Sequence, residues 1–279
     1  FRRLFLARKR IQAVRSFLRE HPSVNRIVVK GASLEILAAK REKRKERIYI
    51  SDTESNHIAH RLALRGATSI LLPKSWRKEA STGIFTDSRV KCYPEILPDL
   101  YIDTEQGISI RNQAIAQLHE SIQGMTDDGS AAPIVFHRRI IGGGIHDGDE
   151  IINYQDWIRN LPVHFIHTKE SAVEATDGVW DMPIQIAMFD GVLTGSTTTA
   201  AEAVIHGMPT FLISKAERGF LDELEIRRPD LLFRWRSTLS DEFDRIARDW
   251  IQAMAEIRRP SQIQTEIIEF FEKELGPIA

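Results

Sequence analysis

Short apolar segments alternate with helix-like segments along most of the chain, and this alternation restricts the possible folds more than any other feature. Strands that alternate with helices are joined by crossover connections, which produce a parallel sheet with helices on its faces. The pattern therefore predicts an α/β fold. In the first half the predicted strands are 26–29, 48–51, 68–72 and 90–93, and the helices between them include 31–40 and 56–64.

A small, polar run at residues 124–130 separates this series from a second one that starts at Pro133. Such runs are typical of linkers, and a length of 279 residues suits about two domains. We therefore expect a first domain at 1–130, a second at 131–260 and a final helix at 261–279. The later predicted strands are 134–137, 163–167, 191–194 and 210–213, and the later helices include 113–122, 149–159, 198–206, 241–257 and 262–275.

The composition argues against several classes of function. A net charge of -1 favours neither nucleic acid nor an anionic membrane as a partner of the whole chain. Cys92 is the only cysteine, so no disulfide can form within the chain, which fits a cytoplasmic location. The nine histidines show no metal-ligand spacing, so we expect no bound metal.

Two segments, 2–19 and 40–47, are strongly basic. One interpretation is peripheral contact with an anionic lipid surface at the inner face of the membrane, or with a lipid-phosphate acceptor. The other interpretation is a solvated helix face that needs no partner.

The segment 190–209 has the clearest binding pattern, namely a strand, a hydroxyl-rich turn, a helix and a glycine turn before the next strand. The turn supplies Ser196, Thr198 and Thr199, whose hydroxyls and backbone N–H groups at a helix N-terminus suit a phosphate. Glu202 follows and can accept hydrogen bonds from the vicinal hydroxyls of a ribose. The same spacing also fits a capping box, in which Thr199 is the N-cap and Glu202 bonds back to its N–H.

A second candidate phosphate site follows the first strand of the second domain, where Arg138 and Arg139 precede Gly142, Gly143 and Gly144. Three glycines let the backbone approach a bulky anion closely. Either arginine can pair bidentately with a diphosphate. We expect the diphosphate to lie between these glycines and the hydroxyl-rich turn. The alternative is a flexible hairpin or loop.

The segment 190–209 resembles the donor-nucleotide motif of GT-B glycosyltransferases at Thr199, Glu202, Gly207 and Pro209. The resemblance is greatest to enzymes similar to the transferase that adds N-acetylglucosamine to the peptidoglycan lipid precursor. In that family a Thr stands three residues before a ribose-binding Glu, and a Gly-x-Pro follows. Family members often have paired glycines in the turn, whereas this chain has Gly195-Ser196-Thr197.

This resemblance implies two Rossmann-like domains of GT-B type, the second of which binds a nucleotide-diphosphate sugar that is UDP-linked. The final helix would cross back to the first domain. The implied reaction is metal-independent transfer of the sugar, without a cofactor, to a hydroxyl of a glycan or lipid-linked acceptor. Cell-envelope or polysaccharide synthesis is the implied setting.

In the first half, Asp52 and Glu54 directly follow a strand end, where open α/β sheets bind ligands. With Pro73 after the next strand, this segment resembles a poorly characterised prokaryotic family of GT-B-like proteins, loosely over residues 10–215. GT-B relatives often take the general base from the first domain, so Asp52 and Glu54 are the candidate catalytic bases. The alternative is that they cap a helix that begins near Asn56.

Two other function classes stay open. A non-hydrolysing sugar-nucleotide 2-epimerase shares the fold and the Gly-x-Pro ending. Its usual His-Arg and Glu-Asn signature is not evident, however, and Ala201-Glu202 stands where two acids are expected. The third class is a non-catalytic module that binds a nucleotide sugar.

The chain starts at Phe1, inside an amphipathic pattern. Helical spacing places most of its apolar residues on one side of a helix, namely Phe5, Ile11, Val14, Phe17 and Leu18. A chain that starts inside a helix predicts that upstream sequence is missing. We therefore expect the first domain to be incomplete and the chain alone to be a poor catalyst.

Overall fold

The structure is a computed structural model that describes residues 2–80, 83–123, 132–139, 152–169, 182–237, 239–255 and 265–276. It divides into two compact units, each built on a parallel sheet. The first unit comprises Phe1–Ile96, Arg218–Phe220 and Thr265–Ala279, and the second comprises Leu97–Glu217 and Leu221–Gln264.

The first unit holds parallel strands joined by helices, in the order α1 (Arg2–Glu20), β1 (Arg26–Lys30), α2 (Ser33–Arg41), β2 (Glu46–Ile50), α3 (His57–Gly66), β3 (Ser69–Pro73) and β4 (Val90–Tyr93). Each strand pairs with the next strand in the chain, so the sheet order is β1-β2-β3-β4. The interior strand β3 is buried along most of its length, as expected where helices cover both faces of a parallel sheet. The edge strand β1 alternates between exposed and half-buried residues.

The second unit has five described strands and a longer series of helices. These are α4 (Pro98–Tyr101), α5 (Thr104–Gln123), β5 (Ile134–Arg139), α6 (Gln155–Ile158), β6 (His164–Lys169), α7 (Met182–Gln185), β7 (Gly191–Thr194), α8 (Thr197–Ile205), β8 (Thr210–Ile213), α9 (Gly219–Arg227), β9 (Leu232–Trp235) and α10 (Ser240–Met254). The first two residues of α9, Gly219 and Phe220, group with the first unit. The sheet order is β6-β5-β7-β8-β9, with all strands parallel.

Aromatic side chains dominate the core on one face of the second sheet. Phe211, Trp235, Phe243 and Trp250 are each at most 1% exposed and lie in one cluster. The Trp250 indole also donates a hydrogen bond of 2.9 Å to the carbonyl oxygen of Pro209. This packing holds α10 against the sheet and fixes the loop that leads from α8 into β8.

The last helix, α11 (Thr265–Leu275), belongs to the first unit and packs on β4. The Phe271 ring lies 5.3 Å from that of Tyr93, and Lys91 Nζ lies 2.6 Å from the carboxylate of Glu274. The strand at that edge of the described sheet is therefore covered by a helix from the other end of the chain.

The division between the units differs from the boundary expected near residue 130. Residues of α4 and α5 group with the second unit. The contacts of Arg111 explain this, because its guanidinium donates to the Phe189 carbonyl oxygen and lies 3.4 Å from the carboxylate of Asp190. The linker-like run 124–130 lies outside the described residues.

Sequence analysis missed strand β9, which carries a charged residue at its centre. The Arg234 side chain is 1% exposed. Its guanidinium lies 3.0 Å from the carboxylate of Asp222 and 2.9 Å from that of Glu225, both on α9. A buried guanidinium is tolerated when it is paired in this way, so the strand forms despite its charge.

Candidate functional site

In the second unit, the sheet changes its direction of growth at β5. The chain passes from β5 to β6 on one side and later places β7 on the other side. In open α/β sheets, ligands bind outside the carboxyl ends of the strands at such a switch point. Arg138 of β5 and Thr194 of β7 are register partners at these two ends. The switch point is therefore the first place to look for a ligand site.

A network of hydroxyl groups shapes the turn that joins β7 to α8. The Thr194 hydroxyl donates to the carbonyl oxygen of Arg138 at 3.3 Å and accepts from the Ser196 N–H at 3.0 Å. Ser196 is the N-cap of α8, and its hydroxyl accepts from the Thr199 N–H at 3.3 Å. The exposed Thr198 lies on the same first turn. The N-terminus of α8 thus lies at the switch point, where its backbone N–H groups and partial positive charge favour an anion.

Arg138 brings a full positive charge to the same turn. Its Nη1 donates to the hydroxyl of Thr199 at 2.8 Å, and the side chain is half-buried. The structure thus brings together Arg138, Ser196 and Thr199, three of the residues that the sequence nominated for the diphosphate. A guanidinium beside a helix N-terminus is a chemically suitable cradle for a diphosphate.

Glu202 lies further along α8 and is 5% exposed. Its Oε1 accepts a hydrogen bond of 2.7 Å from the hydroxyl of Tyr101. The capping-box interpretation is wrong, because the N-cap is Ser196 and Thr199 already lies within the helix. The ribose-binding role of Glu202 stays a prediction.

Gly207 and Pro209 form the exit from α8. Gly207 has φ +78°, a left-handed conformation that suits glycine and commonly ends a helix. Its N–H donates to the Val204 carbonyl oxygen at 2.9 Å. These two members of the sequence motif thus end the helix and lead the chain into β8.

His137, next to Arg138, belongs to a hydrogen-bonded line that sequence analysis missed. The ring is 1% exposed, with Nε2 at 3.0 Å from the Tyr154 hydroxyl and Nδ1 at 2.7 Å from Nδ1 of the exposed His167. The histidines were considered only as metal ligands. The strand register that pairs His137 with His167 was needed to connect them.

The pair His137-Arg138 also bears on the epimerase alternative. The dipeptide His-Arg, one half of the signature named for those enzymes, occurs here at the carboxyl end of β5. The Glu-Asn half does not occur as a dipeptide anywhere in the sequence.

In the first unit, the buried Glu54 side chain connects two backbone segments by hydrogen bonds, one at Arg77 and one at Gly219. Its side chain is 1% exposed, and Oε1 accepts from the N–H of Arg77 at 3.2 Å and from that of Gly219 at 2.9 Å. Burial raises the pKa of the Glu54 carboxyl, and these backbone hydrogen bonds oppose that shift in part. A Cβ on Gly219 would lie 1.7 Å from the Ser75 carbonyl oxygen, so the segments approach as closely as glycine allows.

Asp52 has a more open environment than Glu54. Its carboxylate lies 2.9 Å from Lys30 Nζ, and the side chain is 20% exposed. The alternative that Asp52 and Glu54 cap α3 is wrong, because Asn56 is the N-cap and accepts the N–H of Ala59 at 3.4 Å. Their role as catalytic bases stays a prediction.

Gly142, Gly143 and Gly144 lie outside the described residues, so their place relative to the diphosphate stays a prediction. Among the residues that the structure does describe, no group of three or more His, Cys, Asp or Glu side chains is arranged to hold a metal ion. No described helix is long and apolar enough to cross a membrane.

Several cations of the two basic segments bond to the protein itself. Arg15 and Arg19 of α1 bond to Glu42 at 2.6 and 2.9 Å. Arg44 is 9% exposed and donates to the carbonyl oxygens of Leu18 and Pro22. These pairings show one function of the basic residues, and contact with a membrane stays a prediction.

No protein-family model and no curated protein matches the chain. Among solved structures, the chain is similar to a protein from Listeria monocytogenes that is provisionally described as a UDP-N-acetylglucosamine 2-epimerase. The two chains are 11% identical with a TM-score of 0.52, and the similarity covers 96% of this chain and 78% of the other.

At this identity the comparison shows the fold alone. Together with the two parallel sheets, it confirms the predicted α/β class, with two Rossmann-like units of GT-B type. The expectation that the first domain is incomplete stays a prediction.

Proposed function

We propose that this chain is an enzyme that binds a UDP-linked sugar at the switch point of the second unit. The observation that carries the proposal is the convergence of the Arg138 guanidinium and the N-terminus of α8 at the ends of β5 and β7. In this proposal the diphosphate lies against Arg138 and the N–H groups of the first turn. The carboxylate of Glu202 bonds the ribose hydroxyls.

Two reactions suit such a site, and we place 2-epimerisation of the sugar first. The similar solved structure is provisionally described as a UDP-N-acetylglucosamine 2-epimerase, and the similarity covers almost all of this chain. The pair His137-Arg138 supports the same choice, although the Glu-Asn pair is missing.

Glycosyl transfer is the second candidate reaction. It is favoured by the resemblance of Thr199, Glu202, Gly207 and Pro209 to the GT-B donor motif. It would need a glycan or lipid-linked acceptor, and the setting would be cell-envelope synthesis in the cytoplasm. Neither reaction as proposed uses a metal or a bound cofactor.

Asp52 and Glu54 are our proposed general bases for either reaction. Asp52 is the better candidate, because its side chain is partly exposed and can exchange a proton with a substrate or with solvent. Glu54 already accepts two backbone hydrogen bonds through one oxygen and is almost fully buried.

The test begins with calorimetric titration of the chain with UDP, GDP, CDP and dTDP, which identifies the nucleobase of the preferred nucleotide. The chain is then incubated with UDP-N-acetylglucosamine in D₂O and followed by proton NMR. Epimerisation at C2 predicts a second sugar nucleotide with deuterium at C2. Release of UDP only when an acceptor is added predicts transfer instead. Binding without either reaction would leave the non-catalytic module, and absence of binding would overturn the proposal.

A further inference from the structure

Tyr101 holds the carboxylate that the proposed function assigns to the ribose. The Tyr101 hydroxyl donates to Glu202 Oε1 at 2.7 Å, while Glu202 itself is 5% exposed. We propose that Tyr101 is a positioning residue for nucleoside recognition, which fixes the orientation of the Glu202 carboxylate so that it selects a ribose over a deoxyribose. This inference rests on the proposed function.

The short helix that carries Tyr101 is anchored on its other side. Asp99 of α4 is 8% exposed, and its two carboxylate oxygens accept from the two Nη atoms of Arg227 at 3.0 and 3.2 Å. Such a bidentate pair fixes direction as well as distance. Two side-chain contacts of α4 therefore connect it to its neighbours. Asp99 bonds to Arg227 of α9, and Tyr101 bonds to Glu202 of α8. All four residues belong to the second unit.

The chemistry of a carboxylate allows Tyr101 and a ribose to bind together. An ionised carboxylate offers about four acceptor positions, so one tyrosine hydroxyl does not exclude two ribose hydroxyls. A hydrogen bond to one oxygen limits rotation of the group about its terminal torsion, which is otherwise broad. Recognition of two vicinal hydroxyls depends on that orientation, because both must reach the carboxylate at once.

Exposure also favours a role in binding over a purely structural one. Tyr101 is 48% exposed, so its hydroxyl bond is made by a side chain at the surface of its unit. Glu202 is therefore held by a side chain that is half exposed. This differs from Glu54, whose donors are backbone N–H groups.

The sequence gives one clue to this helix that the sequence analysis did not use. Pro98 occupies the first turn of α4, a position where proline is favoured. The four residues of α4 are too few to show a hydrophobic period. The link from Tyr101 to Glu202, 101 residues apart, requires the folded chain.

The experiment measures the Kd of UDP and of 2′-deoxy-UDP for the original chain, Tyr101→Phe, Glu202→Gln and the double variant. Tyr93→Phe is the matched control, because it removes a tyrosine hydroxyl in the first unit. We expect the original chain and the control to prefer UDP by about tenfold. Tyr101→Phe should reduce that preference by about fivefold, because the carboxylate would lose the bond that orients it. Glu202→Gln should reduce it to a similar or greater extent, and the double variant should add little.

The outcomes separate the inference from the proposed function. If Glu202→Gln loses the preference while Tyr101→Phe keeps it, Tyr101 does not position the carboxylate and the inference is wrong. If the original chain shows no preference and Glu202→Gln binds UDP normally, the ribose role itself fails. Melting temperatures identify a variant that is merely destabilised. For such a variant, additive effects in the double variant would count against the inference, and non-additive effects would support it.

Discussion

Each unit has a buried glutamate in the segment that follows one of its parallel strands, Glu54 after β2 and Glu202 in α8 after β7, but the hydrogen-bond donors to the two side chains differ. Glu54 accepts from the backbone N–H groups of Arg77 and Gly219, whereas Glu202 accepts from the hydroxyl of Tyr101. The backbone donors to Glu54 are fixed by the course of the chain, while the donor to Glu202 is a half-exposed side chain. We therefore expect Glu54 to contribute mainly to stability and Glu202 mainly to binding.

The two sheets also differ in the order of their strands. The described strands of the first unit follow one another in chain order from β1 to β4, without a change of direction. The sheet of the second unit changes direction at β5, next to Arg138 and the N-terminus of α8, and open α/β sheets bind ligands at such a point. A carboxylate at a strand end therefore indicates a ligand site only when the topology and the nearby donors agree.

The largest expected effect comes from Gly219→Ala, because its Cβ would lie 1.7 Å from the Ser75 carbonyl oxygen and 3.0 Å from Glu54 Oε1. The backbone would have to move. We expect a loss of about 3 kcal/mol in the free energy of unfolding, measured by urea denaturation. Lys215→Ala, an exposed change in the same segment, is the control. Equal stability of the two variants would show that the backbone at Gly219 can move away from Ser75 at little cost.

Glu54→Ala tests the structural role of the first glutamate directly. It removes the acceptor for the N–H groups of Arg77 and Gly219, so we expect a loss of about 2 kcal/mol in the free energy of unfolding. The Kd for UDP should not change. Glu54→Gln keeps an acceptor oxygen and should stay stable. If the Gln variant is stable but has lost turnover, Glu54 is a catalytic base and the comparison fails.

Arg138→Gln tests the site of the second unit. It removes the charge beside Thr199, and we expect the binding free energy of UDP to weaken by about 2 kcal/mol, as measured by calorimetry. Arg159→Gln is the matched control, since the Arg159 side chain is 75% exposed on the same unit. A similar loss in both variants would indicate a general charge effect and not a diphosphate site.

A smaller effect is expected in the pH dependence of stability. Burial raises the pKa of Glu54, so the folded protein holds this proton more tightly than the unfolded chain does. The unfavourable ionisation in the folded state therefore lowers stability as the pH rises from about 4.3, the unfolded value, through the raised value. Urea denaturation of the original chain and of Glu54→Gln across this range should show the original chain losing stability relative to the variant. A constant difference would contradict the shift.

The elements predicted best were buried strands with turn-forming residues at their ends. The segments 191–194 and 210–213 match β7 and β8, because both are apolar runs bounded by glycine, serine or proline. The strand β9 was missed because Arg234 interrupts its apolar pattern. Only the folded chain shows that Asp222 and Glu225 neutralise it.

The candidate site shows the same limit. Arg138, Ser196 and Thr199 were nominated from strand ends and a helix start, which are local features, and the structure brings them together. The partners of the glutamates depend on distant residues. Gly219 lies 165 residues from Glu54, and no periodicity or spacing connects them.

The first unit is built from separate parts of the chain, and this has a consequence for biosynthesis. Its sheet lies near the start of the chain, but Gly219 and α11 come much later. A chain emerging from the ribosome therefore exposes the face of β4 that α11 covers until residues 265–275 have also been translated. Domains often fold in order from the N-terminus during synthesis. Here we expect the N-terminal unit to finish last, which would make chaperone protection of β4 important while translation continues.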